Sequence, residues 1–213
     1  PKLSKQITNS NYTTMQKFFI HTMGCKSNQF ESSIIEQNLI DNGLIKASNL
    51  EEADFFILNS CTVTHKSDNE ALYLLRNAKH KNPLIKNILT GCIAQVEKEE
   101  LLKYDFVDIV IGNDEKLNLY NALISGEKCV TSDIMARSSF TPAVLNDFSK
   151  PRASLKIQDG CDNRCTYCII PFARGKSRSA NPDFIIKQIN NFADHNFNEV
   201  VFTGIHIGQW GKD

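Results

Sequence analysis

Several features that would indicate a particular class of protein are missing from this chain of 213 residues. It has no net charge, because 24 basic and 24 acidic side chains balance, so composition alone indicates neither a nucleic-acid nor a membrane partner. It also has no uninterrupted apolar run long enough to span a bilayer. Its apolar fraction of 41% is ordinary for a chain with a packed core. We therefore expect a folded protein without a membrane span.

An even set of cysteines is missing as well. The chain has seven, and an odd number is not typical of a secreted disulfide framework. In a reducing compartment, clustered cysteines more often bind metal or act in catalysis than form disulfides. We therefore expect a cytoplasmic protein whose thiols are reduced.

Strand-like and helix-like segments alternate between residues 17 and 128. Short apolar runs such as DFFILNS (54–60) precede segments with helical spacing such as THKSDNEALYLLRNAKH (64–80). Thr64 is a candidate N-cap for that helix. Four strand–helix units in a row predict an α/β domain built on a parallel, doubly wound sheet.

The rest of the chain has a different organisation. The polar residues 1–16 predict a disordered extension, and residues 129–153 lack periodicity and predict a linker. Residues 154–213 open a new unit with a strand (154–160), a long loop, a helix that starts at Pro182 and a second strand (199–204). This pattern predicts a βαβ start. If it opens a (β/α) barrel, whose complete form has ~250 residues, we expect most of the barrel to be absent.

Three cysteines directly follow predicted strands: Cys25 in TMGC, Cys61 in LNSC and Cys92 in LTGC. Because the carboxyl ends of parallel strands meet at one edge of a sheet, these cysteines can converge. The positive ends of the following helices favour thiolates there. Equivalent positions in three units predict a metal site, whereas Cys129 lies outside this pattern and is expected to be structural.

Cys161, Cys165 and Cys168 form C-x3-C-x2-C in a loop after a strand, and no fourth cysteine follows. Three close thiolates can bind three irons of a 4Fe–4S cluster and leave one iron open. Zinc would need a fourth protein ligand, for which the later candidates are His195 and His206. The spacing favours an iron–sulfur cluster over zinc.

The second motif, with an aromatic residue before its third cysteine, resembles the signature of radical S-adenosylmethionine (SAM) enzymes. The wider sequence is similar to the methylthiotransferase family of that superfamily over about residues 16 to 210. The segments that carry this resemblance are TMGCKSNQFES, NSCTVTHKSD, TGCIAQ, LKIQDGCDNRCTYCIIPFARGKSRS and TGIHIGQWG. The resemblance implies two 4Fe–4S clusters, one at each cysteine triplet, with SAM as cofactor. It also implies that Tyr167 borders the adenine of SAM and that Gly204 lies against its methionine part.

QDGC and PFARGKSRS are most similar to the members that act on N6-threonylcarbamoyladenosine. The resemblance therefore implies methylthiolation of C2 of that base at position 37 of tRNA, with a flavodoxin-like or ferredoxin-like electron donor. The alternative substrate is N6-isopentenyladenosine 37 in tRNA. Arg174, Lys176 and Arg178 closely follow the cysteine loop and could pair with RNA phosphates, although a solvated run of surface charges would look the same.

Members of the family are much longer than this chain, with a complete barrel and a further C-terminal β-domain. We therefore expect a fragment that binds clusters but is not fully active on its own. Two readings from other classes remain open. One is a zinc-binding module without catalysis. The other is a thiol redox protein that uses Cys165 and Cys168, which leaves the other clustered cysteines unexplained.

Overall fold

The computed structural model describes residues 15–145 and 152–213, so nearly all of the predicted extension over 1–16 lies outside the described residues. The strands are β1 Lys17–Thr22, β2 Ile45–Lys46, β3 Phe55–Ser60, β4 Lys86–Gly91, β5 Ile109–Ile111, β6 Cys129–Val130, β7 Ala153–Lys156, β8 Gln158–Asp159, β9 Arg178–Ser179 and β10 Val200–Thr203. The helices are α1 Lys26–Asp41, α2 His65–Lys81, α3 Cys92–Val96, α4 Lys98–Leu101, α5 Leu119–Ile124, α6 Ile170–Arg174 and α7 Pro182–Asp194. Short 3-10 helices form at Glu115–Asn118 and Ile207–Gln209. None of the described helices is both long and apolar enough to cross a membrane.

The first domain is a six-stranded sheet in the order β2-β1-β3-β4-β5-β6. All of its neighbouring strands pair in parallel, which confirms the predicted parallel α/β fold. Strand order reverses at β1, since β2 lies on one side of it and all later strands on the other. In sheets of this kind, ligands bind beyond the carboxyl ends of the strands at such a reversal.

Helices cover both faces of this sheet, which is why the apolar residues of its central strands are consecutive rather than alternating with polar ones. In β3, Phe55 and Ile57 pack on the side of α1 and α5, whereas Phe56 and Leu58 pack on the side of α2, α3 and α4. All six residues of β3 are buried. With both of its faces buried, β3 lies in the interior of the domain.

Local signals fix several helix ends. The Thr64 side chain accepts a hydrogen bond from the Ser67 N–H at the start of α2, and the Asn181 side chain does the same for the Asp183 N–H at the start of α7. The helix expected over 95–104 differs from the structure. It begins at Cys92, directly after β4, and the backbone at Glu97 interrupts it to give α3 and α4.

The second unit contains a parallel pair, β7 with β10, and an antiparallel pair, β8 with β9. The strand expected over 154–160 is therefore divided, because the chain changes pairing partner at Ile157. Helix α7 packs against β7, and their apolar residues form a separate core that includes the buried Phe192. The parallel β7–α7–β10 connection is the expected opening of a (β/α) barrel.

Substitution of Leu75 tests the packing of α2 on the sheet. Leu75 is 0% exposed, so Leu75→Ala should lower the free energy of unfolding by about 2–5 kcal/mol through lost burial and a cavity. Leu84 is 90% exposed, so the matched Leu84→Ala should change it by no more than about 0.5 kcal/mol. Urea unfolding measures both, and equal effects would contradict the assigned core.

Candidate metal and radical site

The first three cysteines each follow one of three neighbouring strands and lie at the same edge of the sheet. Cys25 follows β1 and immediately precedes α1, Cys61 follows β3, and Cys92 follows β4 as the first residue of α3. Since β1, β3 and β4 are adjacent, these residues lie at the end of the sheet where strand order reverses. Cys61 and Cys92 are buried, and Cys25 is exposed.

These thiols are close enough to influence one another. Burial raises the pKa of the Cys61 thiol, the charges at Cys92 and Cys25 raise it further, and backbone N–H groups of the following loop oppose the rise. The loop before Cys25 comes so near that a Cβ on Gly24 would lie 2.9 Å from the Cys61 sulfur. A glycine with φ +89° is therefore required where this loop passes Cys61.

The thiols of Cys25, Cys61 and Cys92 are suitable ligands for a thiophilic metal centre, although they are not arranged around a common point. Within residues 15–145 and 152–213, no three His, Cys, Asp or Glu side chains are already arranged to hold a metal ion. The exposed Cys25 side chain forms no capping hydrogen bond with α1. Three thiolates fit an iron–sulfur cluster with one open iron, so the residues fit the centre that the sequence predicts.

Buried polar side chains hold the three cysteine loops together. The Asn28 Nδ2 donates to Met23 O at 2.9 Å and to Ser60 O at 2.8 Å, which joins the loops at Cys25 and Cys61. The Ser60 hydroxyl donates to Thr90 O at 2.5 Å, which joins β3 to β4 just before Cys92. Each bond satisfies a buried polar group, so the loops are fixed relative to one another.

The second triplet lies in the loop between β8 and α6. Cys161 N–H donates to Gly175 O, and Cys168 N–H donates to Cys165 O, both at 3.0 Å. Cys165 is exposed, and the other two thiols are half-buried. The His206 Nδ1 lies 3.7 Å from the Cys161 sulfur, so one of the two histidines considered for zinc is close to this triplet.

The two residues expected to contact SAM lie in different surroundings. Tyr167 is 90% exposed on the cysteine loop. Gly204 directly follows β10, and a Cβ there would lie 3.0 Å from atoms of Gln158. Its lack of a side chain lets the two segments approach, which explains the glycine independently of any ligand.

Two of the three basic residues expected to contact RNA are buried. Arg174 is 1% exposed and Arg178 is 3% exposed, whereas Lys176 is exposed. Both guanidinium groups are paired with carboxylates and are not accessible to a phosphate. The expectation is therefore corrected for Arg174 and Arg178, because both side chains turn inward to carboxylates while Lys176 stays exposed.

Ion pairs join these arginines to residues that the sequence reasoning missed. We call the set the buried ion-pair cluster; it consists of Glu31, Lys116, Lys156, Asp159, Arg174 and Arg178. The Glu31 carboxylate lies 2.5 Å from Lys116 Nζ, 2.7 Å from Lys156 Nζ and 3.1 Å from Arg174 Nη2. Glu31 and Lys116 belong to the first domain and the other four to the second unit, so the cluster joins the two.

Opposing effects set the ionisation of this cluster. Burial would raise the pKa of Glu31, but Arg174, Lys116 and Lys156 together hold it well below its usual range. Burial lowers the pKa of Lys116, and Glu31 opposes this. For Arg174, burial acts downwards, but Glu31 and then Cys92 hold the pKa well above its ordinary value. Glu31 and Arg174 are therefore a charged pair.

A signal for the cluster is present in the sequence. Glu31 lies four residues before Ile35, and Lys116 lies three residues before Leu119; both apolar residues are buried. Neighbours at this spacing share a helix face, so both charges lie on the buried face of their segment. A charge on an apolar face indicates a buried partner.

Two family descriptions match the chain. UPF0004, an uncharacterized protein family, matches residues 17–112, which includes Cys25, Cys61 and Cys92. The radical SAM superfamily matches residues 155–207, which includes the second triplet. The two matched ranges correspond to the six-stranded domain and to the unit that begins at β7.

Curated relatives are similar over most of this chain. It is 36% identical over 203 residues to threonylcarbamoyladenosine tRNA methylthiotransferase MtaB of Bacillus subtilis (strain 168), covering 91% of this chain and 44% of the relative. It is 38% identical over 195 residues to the MtaB of Rickettsia prowazekii (strain Madrid E), with shares of 91% and 44%. It is 33% identical over 207 residues to tRNA-2-methylthio-N(6)-dimethylallyladenosine synthase of Dictyoglomus thermophilum, with shares of 93% and 47%.

The chain thus spans somewhat less than half the length of these relatives. The family and superfamily matches lie in the same order along the chain as the two cysteine triplets. By its fold, its cysteines and these matches together, the chain is similar to the radical SAM methylthiotransferases in both of its parts.

Proposed function

We propose that this chain serves in the methylthiolation of C2 of N6-threonylcarbamoyladenosine 37 in tRNA. The observation that carries the proposal is the presence, in one chain, of three strand-end cysteines beside a radical SAM cysteine loop. The relatives named as threonylcarbamoyladenosine tRNA methylthiotransferases support the choice of base. We assign the six-stranded sheet, through β6, to the sulfur-bearing domain and the unit that begins at β7 to part of the radical SAM domain. The linker predicted over 129–153 is therefore shortened at both ends, because Cys129–Val130 and Ala153 belong to strands.

Each cysteine triplet has one role in this proposal. Cys161, Cys165 and Cys168 would hold one 4Fe–4S cluster, and the strand-end cysteines would hold another. When bound, these clusters and SAM supply the radical chemistry and the site for the transferred sulfur. An electron donor of the flavodoxin or ferredoxin type would reduce the cluster of the exposed loop, where Cys165 lies at the surface.

Residues around the loop would position SAM and tRNA. Gly204, directly after β10, has no side chain to fill the space there, and the exposed Tyr167 ring is available to border adenine. Lys176 keeps its predicted role as a phosphate contact, since its side chain is exposed. Phe172 is 58% exposed and is suited to stacking on an unpaired base.

Deletion of the gene tests the choice of base. We expect tRNA from the deletion strain to lose 2-methylthio-N6-threonylcarbamoyladenosine and to accumulate its unthiolated precursor, as measured by mass spectrometry of nucleosides. Loss of 2-methylthio-N6-isopentenyladenosine instead would establish the alternative substrate. Complementation with a Cys61→Ala gene should not restore the modification, whereas Cys129→Ala should.

Iron counting tests the two-cluster arrangement. After anaerobic reconstitution, Cys61→Ala should bind about half the iron and acid-labile sulfide of the unaltered chain, because one of two three-thiolate sites is lost. Cys129 packs half-buried beside the sheet core, so Cys129→Ala is the matched control and should keep the full content. Equal contents in the two variants would refute a cluster at the strand ends.

The position of His206 favours one alternative, a Cys3His zinc site at the second triplet. A three-thiolate iron–sulfur site does not need this histidine. His206→Ala should therefore keep its iron and its visible absorption after anaerobic reconstitution, with Cys168→Ala as the control that loses both. If purified His206→Ala instead loses a stoichiometric zinc that the unaltered chain holds, the second triplet is a zinc site.

A further inference from the structure

The buried ion-pair cluster carries more positive than negative charge. Its four cations, Lys116, Lys156, Arg174 and Arg178, face two carboxylates within the cluster, Glu31 and Asp159. A third carboxylate, Asp213, acts on Arg178 from outside the cluster, which leaves one positive charge over. The adjoining Arg137–Asp114 pair is neutral in itself. Buried charge without a counterion is costly, so the excess indicates that an anion belongs nearby.

Lys116 is held in its charged form by its contacts. Its Nζ lies near three side-chain oxygens, at 2.5 Å from Glu31, 2.7 Å from Asn113 and 3.4 Å from Asn59. An ammonium group has three N–H donors for three acceptors, whereas a neutral amine has two. The positive charge at this position is therefore part of the structure.

The excess charge lies beside the strand-end cysteines. Arg174 is the last residue of α6, which packs against α3, the helix that begins at Cys92. A negative charge at Cys92 raises the pKa of both Arg174 and Lys116. This effect ranks after burial, which lowers the pKa, and after Glu31, which raises it. Arg174 further donates to Asn28 Oδ1, the side chain that ties the Cys25 and Cys61 loops. Its Nε has no hydrogen-bond partner among the described residues.

We propose that Lys116 and Arg174 are countercharges of the strand-end cysteine site and raise the reduction potential of an iron–sulfur centre bound there. This inference rests on the proposed function. It means that the radical SAM unit contributes a charge to the site of the first domain, through Arg174. A fixed positive charge in a medium of low polarity stabilises the added electron, because the interaction is only weakly screened.

Charge changes of opposite sign separate this effect from structural damage. In a full-length background with Cys161, Cys165 and Cys168 changed to Ala, one centre remains, and its midpoint potential is measured by EPR-monitored redox titration. Lys116→Gln removes one positive charge and should shift the potential to more negative values. Glu31→Gln removes one negative charge and should shift it to more positive values, and the double variant should return close to the parent.

Charge-conserving variants complete the test. Lys116→Arg and Arg174→Lys keep the charge and should keep the potential. Lys79→Gln removes a charge far from the site, since Lys79 pairs with Asp108 at the opposite end of the sheet, and it should also leave the potential unchanged. If iron and sulfide contents match but the Lys116 and Glu31 variants shift in the same direction or not at all, the countercharge role is refuted while the proposed function stands. If the parent binds no centre, both proposals fail.

Discussion

One buried carboxylate joins the two parts of the described chain. Glu31 in α1 pairs with Lys116 from its own domain and with Lys156 and Arg174 from the radical SAM unit. Loss of one partner from such a buried pair costs about 3–5 kcal/mol, because the remaining charge has no water to solvate it. Since α1 begins at the Cys25 loop and Arg174 ends the helix after the second cysteine triplet, this pairing sets how the two cysteine loops lie relative to each other.

The parallel sheet supplies the second constraint. Neighbouring strands lie about 4.8 Å apart, so three adjacent strands bring their ends within ~10 Å of one another. Residues separated by more than thirty positions, such as Cys25, Cys61 and Cys92, therefore reach one edge without long-range loops. Asn28 and Ser60 fix this edge through buried hydrogen bonds, so the backbone positions of the three cysteines are tied to one another.

Local physical chemistry made much of this predictable. Apolar runs and helical spacing are properties of short segments, so the parallel α/β sheet, the Thr64 cap and the start of α7 at Pro182 were all foreseen and are confirmed. The interruption of the third helix at Glu97 was not, since none of the helix-ending signals that we used marks it. The division of the 154–160 strand was also missed, because it depends on which strand pairs with each half.

The role of Arg174 could not be read from its neighbourhood. Its partner Glu31 lies 143 residues away, and a basic run after a cysteine motif has the same composition whether it faces RNA or a buried acid. The burial of the neighbouring residues distinguishes a run that faces RNA from one that faces a buried acid. Here Ala173 and Ser177 are buried with Arg174, while Lys176 is exposed. An acid on an apolar helix face needs a buried cation, and a basic residue in a buried segment needs a buried anion. Glu31 and Arg174 meet both needs by pairing with each other. Local patterns can therefore show that a buried charge needs a partner, but they do not show which distant residue that partner is.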